Sequence, residues 1–131
     1  MEVITTHVNA DFDCVGSMVA LGTGIAQAIT EYGDEVLIVA SSDMNHYESA
    51  QVAKQKDDLA LAEVAALNPE GLLKVCRENR VTMCGVVPTA VMLVAAKLLG
   101  ATQSRLLCYT TSGEVNGDLG RVVSYAAVTV S

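Results

Sequence analysis

The chain opens with a short β-branched run, EVITTH (residues 2–7), which predicts a strand; the polar NADFD breaks it. From Cys14 to about Glu31 the apolar positions Val15, Met18, Val19, Gly22, Ile25, Ala26 and Ile29 recur at helical spacing. Asp13 stands where an N-cap or first-turn acid belongs, and Gly33 where a helix stops. Glycines 16, 22 and 24 each weaken that helix by about 1 kcal/mol relative to alanine, so close approach to a sheet is their expected use. EVLIVAS (35–41) is a continuous apolar run and predicts a central strand buried on both faces. Helical spacing returns over 50–66, with Ala53, Ala60, Leu61, Val64 and Ala65 near one face. Asn68, Pro69 and Glu70 then read as cap, first position and dipole-matched acid of a helix running to about Asn79. Another helix is expected from about Val86 to Leu99, ending at Gly100. Two strands close the chain, 105–111 and 120–130, joined by the polar SGEVNGD.

The resulting order, β-α-β-α-α-α-β-β, predicts one α/β domain over 1–131. The expected architecture is a layered α/β/α arrangement on a mixed sheet of about four strands.

Composition adds a constraint. Apolar residues make up 51% of the 131 positions and charged residues 18%, with mean hydropathy +0.38. The longest apolar stretch, Val86–Leu99, is interrupted by Pro88, Thr89 and Lys97, so a membrane span is not expected. The excess apolar surface instead points to faces covered by a partner subunit, in a homo-oligomer formed through them, or by a part of a larger fold absent from this chain. A net charge of −7 without a basic cluster argues against nucleic acid. The four cysteines form no CxxC pair and MEVITTHV carries no basic leader, so free thiols and a cytoplasmic location are expected.

Chemistry concentrates after the predicted strands, where open α/β sheets place ligands. In SSDMNH, Ser41, Ser42 and Asp43 read as helix-capping acceptors, or Asp43 and His46 as a carboxylate and an imidazole sharing a metal or a proton. In HVNADFD, the pattern of His7, Asp11 and Asp13 suits a hard divalent cation, or is a turn closed by an aspartate cap. Cys84 precedes a helix N-terminus, where a thiolate is favoured, or is a small buried residue. Cys14 starts a helix in the same way, whereas Cys76 and Cys108 read as core. YTTSGEVNGD either lines a pocket or is a surface loop.

From about Leu21 to Ser131 the ordered pieces LGTGIAQAI, VLIVASSDMNHYES, DDLALAEVAALNP, MCGVVPTAVMLVAAKLLGA, LLCYTTSGEVNGD and VVSYAAVTV resemble the C-terminal half of the Memo family, also called AmmeMemoRadiSam system protein B. That resemblance implies a fold like the class III extradiol dioxygenases. It also implies iron or copper binding with redox chemistry, and a site containing Asp43, His46 and Cys84. Residues 1–20, VITTHVNADFDCVGSMVA in particular, resemble motif one of the DHH phosphoesterases, which use Mn²⁺. There His7, Asp11 and Asp13 match the metal ligands, and Gly16 and Ser17 the helix start. Together the two resemblances describe a chimera joined inside a helix, with each parental site incomplete and little or no catalysis expected. Three readings follow: a Memo-like metal-binding protein, a Mn-dependent phosphoesterase, and a recombined domain without evolved activity. A composite metal site of His7, Asp11, Asp13, Asp43 and His46 is a further expectation.

Overall fold

The computed structural model describes residues 12–131 and, for Phe12, Asp13 and Cys14, the backbone alone. Its elements are α1 (Phe12–Tyr32), β1 (His46–Glu48), α2 (Ala50–Ala65), α3 (Pro69–Glu78), α4 (Val86–Leu98), β2 (Ser104–Thr111), α5 (Gly113–Asn116) and β3 (Val122–Val130). This is an α/β fold.

The helices follow the apolar spacing and the caps. Asn68 accepts from the Gly71 N–H at 3.1 Å with Pro69 behind it, which starts α3. Ser49 accepts from the Val52 N–H and starts α2. Gly33 and Gly100 take positive φ just past α1 and α4. Of the α1 glycines only Gly22 is needed for packing, and its neighbour is a helix rather than a sheet. A Cβ there would lie 2.6 Å from Val94 of α4 and 3.0 Å from the Val91 carbonyl. Gly16 and Gly24 face open space.

Among the described residues the sheet has three antiparallel strands in the order β1-β3-β2. Ser104 pairs with Val130 and Thr111 with Ser124; on the other edge His46 pairs with Val123 and Glu48 with Val122. Leu72, Cys76 and Leu93 form the main core with Ala60 and Val64, and Ala126, Val128 and Val130 of β3 pack against it. A second cluster, Met18, Leu73, Ala90, Val91 and Val94, fixes α1 on a different face of α4. The loop expected between the last two strands contains α5, a single turn.

The strand expected at 2–7 lies outside the described residues. The strand expected at 35–41 is not in the sheet: the segment joins no ladder among the described residues, and Val36, Leu37 and Val39 are 45%, 86% and 75% exposed. An apolar run makes a strand only when a neighbour supplies hydrogen bonds and a cover. Among the described residues a groove of about 530 Å³ separates Val36–Ala40 from Met92, Ala96 and the end of β3. No helix of the described residues is long and apolar enough to cross a membrane.

Candidate metal centre

The backbone that carries Asp43 and His46 is anchored residue by residue. Met44 is buried in the main core, and its N–H donates to the Ser124 carbonyl at 2.9 Å. The Ser124 N–H donates to the Asn45 carbonyl at 3.0 Å, and the Asn45 N–H to Ser124 Oγ at 2.8 Å. Asn45 is fully buried. Its Oδ1 accepts from the His46 N–H (2.9 Å) and Thr82 Oγ1 (2.6 Å), while its Nδ2 donates to Glu48 (2.5 Å). A bulge then falls at Tyr47, whose φ of 63° is the left-handed region that a tyrosine rarely enters. In a regular strand the Tyr47 ring would point away from that of His46; with the bulge the centroids are 5.9 Å apart.

Cys84 reaches this segment from the turn before α4. Its Sγ accepts from the Asp43 N–H at 3.2 Å. Ser42 Oγ accepts from the Gly85 N–H at 2.8 Å, tying the two strings of backbone together. Only glycine fits at 85, since a Cβ there would sit 2.5 Å from the Ser41 carbonyl oxygen. His46 Nδ1 lies 2.8 Å from the Thr82 carbonyl, which can only accept, so Nδ1 carries the proton. Nε2, the other ring nitrogen, faces Asp43 Oδ2 at 3.5 Å. One donor atom from each of Asp43, His46 and Cys84 lies within 4.8 Å of the others. Asp43 and His46 side chains retain 46% and 22% exposure, so the cluster opens to solvent.

Behind the cluster sits a buried carboxylate. Asp57 of α2 is fully buried, and burial raises its pKa despite hydrogen bonds from Ser124 Oγ (2.5 Å) and Tyr109 OH (2.8 Å). Burial also pushes the Tyr109 hydroxyl upward, and the Asp57 carboxylate adds to the shift. The Cys76 thiol is pushed up to about 11 by burial, then by Asp57, which makes it an inert core group. Glu48 is held below its ordinary range first by the Lys56 ammonium at 2.6 Å.

The structure thus brings together Asp43, His46 and Cys84. His7 and Asp11 lie outside the described residues, and of Asp13 only the backbone is described, in the first turn of α1. The reading of Asp43 as a helix cap is not met: Ser49 caps α2, and residues 43–45 lie outside any helix. Cys108, expected in the core, is exposed. Asn45, Thr82, Ser124 and Asp57 were missed. Asp57 had a signal, because it falls on the apolar face of α2 between Ala53 and Ala60. So did Ser124, a hydroxyl set between Val122 and Ala126 on one face of its strand.

A family model described as Memo-like protein matches residues 11–129. The chain belongs to the Memo family. A MEMO1 family protein of Methanopyrus kandleri is 39% identical over 108 residues, covering 82% of this chain and 38% of that protein. One of Methanosarcina barkeri is 38% identical over 114 residues, covering 87% and 43%. The chain therefore spans about two-fifths of the length of these curated relatives. The Memo match runs through the join expected near residue 20, and α1 crosses it without a break. A chimeric seam there, and the DHH-type reading built on it, gain no support. The expectation of an incomplete site gains none either, since three donors converge without residues 1–11.

Proposed function

We propose that this Memo-family protein binds one transition-metal ion through Asp43, His46 and Cys84. The observation that carries the reading is the convergence of three chemically different donor atoms within 4.8 Å. Ligand atoms on one ion stand roughly 3–4 Å apart at bond lengths of about 2.0–2.3 Å, so small side-chain movements close the cluster. A thiolate, an imidazole and a carboxylate suit a borderline or soft ion such as iron or copper better than Mn²⁺ or Mg²⁺. When bound, such an ion supplies Lewis-acid or one-electron chemistry.

Each residue has a task in this reading. Thr82 holds the His46 proton on Nδ1 and leaves Nε2 as the ligand atom. The Asp43 N–H donates to Cys84 Sγ in the turn before α4 and so holds the sulfur at the cluster. The Asp43 carboxylate supplies charge and is exposed enough to share the ion with an incoming ligand. Calorimetric titration with Fe²⁺ or Cu²⁺ tests the reading. One ion should bind, and Asp43→Ala should weaken it by at least about tenfold; an unchanged affinity in Asp43→Ala contradicts the assignment.

A further inference from the structure

The buried carboxylate behind the metal cluster has no role in the reading above. Asp57 accepts two hydrogen bonds on Oδ2, and its Oδ1 has no partner among the described residues. A buried carboxylate with a bare oxygen is a poor way to stabilise a fold. Its geometry toward Ser124 is more specific. A serine hydroxyl has one proton. The Asp57 oxygen stands 2.5 Å from Ser124 Oγ, whereas the competing acceptor, the Asn45 carbonyl, stands at 3.4 Å. With the proton directed to Asp57, a lone pair of the same hydroxyl faces the Asn45 N–H at 2.8 Å. The Ser124 backbone meanwhile holds Met44 and Asn45. Ser124 therefore grips the two residues that separate Asp43 from His46.

We propose that Asp57 is a positioning residue for the metal centre. By accepting the Ser124 O–H hydrogen bond it orients the hydroxyl that holds Asn45, and so sets the spacing of the Asp43 and His46 donor atoms. The inference rests on the metal-binding reading and extends it to a residue that touches no ligand.

The test is Co²⁺ affinity, read from the visible absorption of the full chain, for variants shown to be folded by circular dichroism. Asp57→Asn keeps an acceptor oxygen for Ser124 and should bind Co²⁺ within about threefold of the parent. Asp57→Leu has similar volume and no acceptor, and should bind about tenfold more weakly, the lower end of the range for residues supporting metal ligands. Ser124→Ala should fall with it, and decides the matter if Asp57→Leu does not fold. A purely structural Asp57 would move the melting temperature and leave Co²⁺ affinity in place. Parent-like affinity in a folded Asp57→Leu or Ser124→Ala variant overturns the inference alone. So does an Asp57→Asn variant as weak as Asp57→Leu. A parent protein that takes up no Co²⁺, Fe²⁺ or Cu²⁺ removes the metal-binding reading and the inference with it.

Discussion

Among the described residues, 36–40 are apolar and open, with Leu37 and Val39 86% and 75% exposed; residues 43–48 are mostly polar, and all but Tyr47 are tied by hydrogen bonds to β3, Thr82, Cys84 or Lys56. The two segments adjoin in the chain. Their difference is one of where the partners come from. An apolar run gains only from surface supplied by other elements, and at 36–40 that surface is a groove. The polar segment is matched by specific groups in the same fold. Asn45 alone links His46, Glu48 and Thr82.

Cutting that network should cost most. Asn45→Leu removes every side-chain bond that Asn45 makes and leaves the Thr82 hydroxyl and the Glu48 carboxylate each short of a partner. A loss of about 2–4 kcal/mol is expected in urea unfolding. A loss below about 0.5 kcal/mol would show that the polar segment is held by its apolar neighbour Met44 rather than by its hydrogen bonds.

A smaller effect should appear in the pH dependence. Burial raises the Asp57 pKa, outweighing the bonds from Ser124 and Tyr109. Such a group gives its full stability below its unfolded pKa of about 4, and that contribution is lost as pH rises through the folded value. Glu48, held low by Lys56, acts with the opposite sign, its contribution being lost as pH falls through the folded value. Asp57→Asn should therefore gain stability relative to the parent as pH rises from about 4, with the Glu48 term common to both. Thermal unfolding across that range checks it, and parallel curves would place Asp57 in a wetter site than its burial indicates.

The least effect on stability is expected in the open segment. Leu37→Lys with Val39→Lys should stay within about 0.5 kcal/mol of the parent per site, because neither side chain is packed. The same pair should lower self-association, seen as reduced light scattering at a given concentration. A large destabilisation would mean that residues 36–40 are covered in solution.

The helices were legible because their information is local. Caps such as Asn68–Pro69 and stops such as Gly33 and Gly100 act within a turn, and apolar spacing marks the faces that Leu72, Leu93 and Val94 bury. EVLIVAS was misleading for the opposite reason. A buried strand depends on neighbours that the run itself does not encode. At the site, Asp43, His46 and Cys84 could be named from the chain, but Cys84 lies some forty residues from Asp43 and only the fold joins them. Ser124 and Asp57 are harder still, since each is an ordinary residue until its partner is known.

The central claim is that Asp43, His46 and Cys84 hold one ion. Optical titration with Co²⁺ tests it most directly, because a thiolate bound to Co²⁺ adds a near-ultraviolet charge-transfer band that oxygen and nitrogen ligands do not give. The account predicts that band at one equivalent of Co²⁺, lost in Cys84→Ser and kept in Cys108→Ser. A band that survives Cys84→Ser, or Co²⁺ bound with no such band, would contradict it.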